Sequence, residues 1–185
     1  AAGVLESETE GFSGWYYIQN GCVQKGQETV KQNSNGWWYI GTDGKVDFHK
    51  NTVAPNEYGW WAVRNGAVDF QLNGIASNES GDWYCRGGQV DFGAAGVLES
   101  ETEGFSGWYY IQNGCVQKGQ ETVKQNSNGW WYIGTDGKVD FGFSGIASNE
   151  NGTWYIENGK VNFNYSGTYE DENGRIYDIK SGNAA

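Results

Sequence analysis

A segment built from Gly, an aromatic pair and an aliphatic residue returns along this chain at a nearly fixed interval, and that interval limits what the chain can fold into. It reads Gly14-Trp15-Tyr16-Tyr17-Ile18, then Gly36-Trp37-Trp38-Tyr39-Ile40, then Gly59-Trp60-Trp61-Ala62-Val63. Asp82-Trp83-Tyr84-Cys85, Gly107 to Ile111, Gly129 to Ile133, Thr153-Trp154-Tyr155-Ile156 and the weaker Ile176-Tyr177-Asp178-Ile179 follow. The segments end at 18, 40, 63, 85, 111, 133, 156 and 179, so all steps but one are 22 or 23 residues. A period that short holds one supersecondary unit, which must lean on its neighbours to bury a core.

The turns name that unit. Asn20-Gly21, Asn65-Gly66, Asn113-Gly114 and Asn158-Gly159 follow the aromatic segments, as do Asp43-Gly44, Asp136-Gly137 and Gly87-Gly88. Asn-Gly and Asp-Gly are strong hairpin signals because a type I′ turn needs positive φ at both central residues. The prediction is all-β: a tandem β-hairpin solenoid of about eight units of 22–23 residues. Residues 1–48 recur unchanged as 94–141. The chain therefore reads as four hairpin repeats over 1–93, then a duplicated array over 94–185 with one unit deleted, continuous with the first. Residues 1–10 recur inside the chain, which makes them part of a unit.

In the unit Trp154–Phe163 the turn Asn158-Gly159 sets Glu157 opposite Lys160, Ile156 opposite Val161, Tyr155 opposite Asn162 and Trp154 opposite Phe163. Alternation then gives an inner face of Trp154, Ile156, Val161 and Phe163 and a polar outer face. Extra aromatics stand on the outer face of other units: Trp15 with Tyr17, Trp37 with Tyr39, Trp60, Trp108 with Tyr110, and Trp130 with Tyr132. These are the candidate ligand-binding residues, since aromatic faces take cations and the apolar faces of sugars. Asp47, Asp69, Asp91 and Asp140 stand near them as hydrogen-bond acceptors. The competing reading is that the same rings pack between successive turns of the superhelix. Cys85 occupies an aliphatic position and reads as a buried small hydrophobe.

Charge and composition exclude several classes. The net charge of −11 repels phosphate backbones and anionic lipid, so neither nucleic acid nor membrane insertion is expected. No nucleophile–base set, phosphate loop or metal cluster appears, and His49 is the single histidine; no catalytic residue, cofactor or metal is predicted. Asp43 with Asp47, and Asp136 with Asp140, lack EF-hand spacing and read as turn residues. With no initiator Met, the chain reads as an excerpt of a longer protein.

With their Gly, aromatic pair such as Trp154-Tyr155, aliphatic residue, Gly turn and following apolar residue, residues 11–180 resemble bacterial cell-wall-binding repeats. That group includes choline-binding repeats of surface proteins, glucan-binding repeats of glucosyltransferases and the repetitive oligopeptides of clostridial toxins. The Gly-Trp-Trp-Tyr-Ile wording is similar to arrays of gut Firmicutes. The resemblance implies a secreted protein of the bacterial cell surface with ligand sites in aromatic grooves between hairpins. Where a choline-type unit opens with Gly-Trp, this chain has Gly11-Phe12, Gly74-Ile75 and Gly145-Ile146, and Val stands after the turn in place of Met. The function expected is a non-catalytic surface module. It would bind cell-wall polysaccharide, teichoic acid or another glycan, or choline-like groups. The alternatives are an adhesin for a host protein and a structural stalk or self-assembling fibre.

Overall fold

The computed structural model describes residues 2–185. They are strands, turns and connecting segments, with no helix among the described residues and so none long and apolar enough to cross a membrane. The chain divides into two bodies, Ala1–Phe92 and Gly93–Ala185. In the first, antiparallel hairpins pair Gly3–Thr9 with Phe12–Gln19, Thr29–Asn33 with Gly36–Ile40, Thr52–Asn56 with Gly59–Arg64, and Gly74–Asn78 with Gly81–Arg86. In the second, Gly96–Thr102 pairs with Phe105–Gln112, Thr122–Asn126 with Gly129–Ile133, Gly145–Asn149 with Gly152–Glu157, and Gly167–Glu170 with Ile176–Lys180.

The long hairpin lies on the other side of the aromatic segment from the one expected. Glu157 does face Lys160 and Ile156 faces Val161, but the ladder stops there and Phe163 sits in a turn. Trp154 instead faces Ala147, in a register running from Gly145↔Ile156 to Asn149↔Gly152. Its partner strand is identical in sequence to Gly74–Asn78 and carries no aromatic. The pairing is visible only once Ile75, 2% exposed, is seen buried. The Asn-Gly turns are type I′, with Asn20, Asn65, Asn113 and Asn158 at φ of 49–53°. Asp43-Gly44 differs: only Gly44 has positive φ. Bonds from Gly44 N to Gly41 O and from Gly41 N to Lys45 O make a three-residue loop closed by a left-handed Gly.

Short strands that follow two-residue turns couple successive hairpins. Ala67 pairs with Trp38, Gln89 with Trp61, Lys160 with Trp131 and Asn183 with Trp154, each a residue of the preceding hairpin. The turn glycine joins this seam: Gly66 O accepts from Tyr39 N at 2.8 Å, and Gly159 O from Tyr132 N at 2.8 Å. Lys160 then lies along Gly129, with its ammonium 5.1 Å from the Trp131 ring. A Cβ at Gly129 would overlap that lysine chain, so the Gly ahead of the aromatic pair clears a path for the next hairpin.

Stacking buries both faces of an interior hairpin. The Val30–Tyr39 face of one hairpin packs on Ala54, Val63 and Val68 of the next. In turn, Val53 and Ala62 pack on Leu72, Cys85 and Val90, and Val123 and Tyr132 on Ala147, Ile156 and Val161. A lone hairpin has no such cover and is marginal in water. At five of the eight hairpin turns an Asn (Asn33, Asn56, Asn78, Asn126 or Asn149) holds the indole N–H of the inner Trp, and it can tie the stack together. Asn149 Oδ1 accepts from the Trp154 indole N–H at 3.0 Å and from Asn151 N at 2.9 Å, while its Nδ2 donates to Val123 O of the preceding hairpin at 2.9 Å. Asn78 repeats the set with Trp83, Ser80 and Val53. No turn signal reveals this residue; its mark in the sequence is an Asn five positions before each inner Trp.

Cys85 is buried as expected, and desolvation pushes its thiol up to about 12; Cys22 is exposed. Since the thiolate is the reactive form, a disulfide reagent at mildly alkaline pH is expected to label Cys22 rapidly in the native protein. Cys85 is expected to react only after denaturation. Equal labelling rates would contradict the packing.

Candidate functional site

Each outer Trp lies where its hairpin meets the next, and there it meets two rings of that next hairpin. Trp15 is 5.7 Å from Trp38 and 6.1 Å from Phe48 between ring centroids, and Trp38 is 5.4 Å from Phe48. The triangle returns as Trp37, Trp61 and Phe70 with sides of 5.3, 5.9 and 5.6 Å. It returns again as Trp60, Trp83 and Phe92 with sides of 5.0, 5.7 and 5.7 Å. In the second body it is Trp108, Trp131 and Phe141 at 5.2, 6.1 and 5.6 Å, then Trp130, Trp154 and Phe163 at 5.0, 5.7 and 5.8 Å. Most of these contacts are edge-to-face, the geometry ring quadrupoles favour.

The triangles stay open to solvent. Their five Phe residues are 42–49% exposed, an unusual recurrence for large apolar side chains. A turn fixes Phe48, Phe70, Phe141 and Phe163, and the residue before each closes that turn. Asp47 Oδ1 accepts from His49 N at 2.9 Å, Asp69 Oδ1 from Gln71 N at 3.0 Å, Asp140 Oδ1 from Gly142 N at 2.8 Å and Asn162 Oδ1 from Asn164 N at 3.0 Å. Asp47, Asp69 and Asp140 therefore engage the backbone of their own turns, and Asp91 meets Arg86 Nε at 2.8 Å. Tyr58, 68% exposed and 6.1 Å from Trp37, adds a fourth ring to the second triangle.

The tyrosines of the expected outer set part company with their tryptophans. Tyr39 and Tyr132 are core residues, 3% and 5% exposed, and burial followed by a hydrogen bond with Glu28 or Glu121 raises both phenols, Tyr132 up to about 12. They are not outer because an interior hairpin has a neighbour on each side. Tyr17 and Tyr110 are half-buried, each with a lysine ammonium, Lys31 or Lys124, 5.2 Å from the ring. Those lysines are themselves held by Glu57 and Glu150 at 2.8 and 3.0 Å. Packing thus claims the tyrosines and part of each Trp, while the Phe edge stays free. The Phe contribution was missed because Phe48 follows Trp15 by 33 residues, one and a half periods, and Phe163 follows Trp130 by the same interval.

An ammonium centred over such a triangle lies within about 6 Å of three ring centroids, the range of cation–π attraction. The net charge of −11 adds a favourable long-range field for cations. Among the described residues no group of His, Cys, Asp or Glu side chains is placed to hold a metal ion.

The choline-binding repeat profile matches residues 13–24, 50–69, 73–91, 106–117 and 142–162. No curated protein matches the chain in sequence. Among solved structures, CbpJ from Streptococcus pneumoniae TIGR4 is similar over 100% of this chain and 65% of its own, with 18% identity and a TM-score of 0.39. Choline binding protein F from Streptococcus pneumoniae is similar over 92% of this chain and 55% of its own, at 18% identity and a TM-score of 0.37. The modular autolysin LytC from Streptococcus pneumoniae is similar over 100% and 46%, at 14% identity and a TM-score of 0.37. This chain thus spans under two thirds of the length of each.

Proposed function

Since this chain belongs to the choline-binding repeat family of cell-wall-binding modules, we propose that it is a non-catalytic surface module that holds quaternary ammonium groups of a cell-wall polymer in its Trp–Trp–Phe triangles. The observation that carries the reading is the fivefold return of one solvent-open triangle at the same junction between hairpins. In each triangle Phe48, Phe70, Phe92, Phe141 or Phe163 supplies the third ring that the opening pairs, such as Gly74-Ile75 and Gly145-Ile146, do not. A trimethylammonium group is large, weakly hydrated and cationic, so ring faces attract it without a costly loss of water. Single sites of this kind are weak. A polymer bearing many ammonium groups engages several at once, and avidity then exceeds single-site affinity by orders of magnitude.

Titration with choline chloride is expected to change Trp emission saturably, beyond an equal concentration of NaCl, and to raise the unfolding temperature. At ten times its dissociation constant each filled site stabilises by roughly 1.4 kcal/mol. Phe70→Ala is expected to remove one site's share while the β-sheet circular dichroism stays unchanged. Emission and melting curves that are the same in choline and in NaCl would sink the proposal.

A further inference from the structure

The last junction of the second body breaks the pattern. Thr153 stands where the preceding hairpin has Trp130, and Tyr177 stands where it has Trp154, so no indole fills the space between these hairpins. The first strands of successive hairpins elsewhere in each body pack against one another. Here a cleft of about 690 Å³ opens between Gly145–Asn149 and the 170–175 turn. No Asn amide bridges it, because the turn residue is Asp171. Its Oδ1 accepts from Asn173 N at 2.9 Å and Arg175 N at 3.0 Å, and its Oδ2 from Tyr177 Oη at 3.3 Å.

The lining is of a different chemistry from the triangles. Ser148 and Thr153 put two hydroxyls 2.9 Å apart on one wall. Tyr169 and Tyr177 face the opening from the other, and Arg175 lies 4.8 Å over the Tyr177 ring. Glu121, Asp171 and Glu172 outnumber the guanidinium and repel an anion, while the guanidinium already covers a face of the Tyr177 ring that an ammonium would need. Hydroxyls, carboxylate acceptors, a guanidinium donor fork and phenol rings together suit an uncharged ligand that offers hydroxyls at its edges and C–H groups on its faces. A volume of this order is that of an ordinary small-molecule site. We propose that this cleft is a separate site for a short, neutral oligosaccharide, chemically distinct from the aromatic triangles and independent of whether those bind ammonium groups.

The test is saturation-transfer NMR on the full chain with three uncharged trisaccharides, chitotriose, maltotriose and isomaltotriose, with and without excess choline chloride. At least one is expected to receive saturation, and choline is not expected to displace it. Thr153→Trp, which fills the cleft with the missing indole, and Arg175→Ala, which removes the donor fork, are each expected to weaken binding at least tenfold, about 1.4 kcal/mol. Silence from all three sugars, displacement by choline, or binding that survives both substitutions would overturn the inference. A bound sugar alongside a null choline titration would overturn only the ammonium reading.

Discussion

Gly66→Ala is expected to destabilise the first body by roughly 4 kcal/mol, while Gly21→Ala in the same body costs only about 1–2 kcal/mol. Both glycines occupy the second position of an Asn-Gly turn, at φ of 75° and 77°. Their backbone strain on substitution is therefore the same. Their surroundings differ. A Cβ on Gly21 meets nothing within 4 Å, whereas one on Gly66 would overlap the Asp47 carbonyl oxygen and come within 2.6 Å of Phe48 Cα. Those are backbone atoms of the preceding connection, which cannot swing aside as a side chain can. The same turn receives Tyr39 N–H on its carbonyl and donates its own N–H to Lys50 O at 2.9 Å, so a shift breaks two seam bonds as well. By calorimetry the Gly21 variant should melt several degrees below wild type and the Gly66 variant about 20 °C below, at 4–8 °C per kcal/mol. Equal losses at the two positions would show that the turn alone, and not the docked neighbour, sets the requirement for glycine.

Asn149 offers the second large effect, one that separates two roles of a single side chain. Asn149→Leu removes the acceptor for the Trp154 indole and for Asn151 N, and the donor to Val123 O. It leaves partly buried polar groups unmatched, at about 1–3 kcal/mol for each left without water, so a total of roughly 3–4 kcal/mol is expected. Asn149→Asp keeps both acceptor roles and loses only the donor to the preceding strand. It also sets a carboxylate against the Val123 carbonyl oxygen, and roughly 1–2 kcal/mol is expected. Denaturant unfolding followed by Trp emission measures both. If the Asp variant falls as far as the Leu variant, the bond to Val123 carries nearly all of the effect and the indole bond very little. If the Leu variant loses under 1 kcal/mol, the side chain is not the tie described.

The repeat length, the glycine turns and the alternation along each aromatic strand were legible without coordinates because each is a local property. A two-residue turn sets its own φ angles, as at Asn158-Gly159, and period-two alternation puts Trp37 and Trp38 on opposite faces whatever surrounds them. Alternation cannot say what covers a face. Tyr39 and Tyr132, read as outer residues, are buried because a hairpin inside a stack has a predecessor and a successor. The strand Gly145–Asn149 escaped notice because its partner is chosen by burial of Ile and Ala, not by any turn signature. Membership of the Phe residues in the triangles depends on atoms 33 residues from the outer Trp, brought together only by docking one hairpin on the next. What the chain encodes locally is therefore the hairpin and the face each ring takes. Which rings meet, which stay wet, and where Thr153 opens a cleft in place of a triangle were decided by stacking, since only contact between successive hairpins removes or leaves the water over a given side chain.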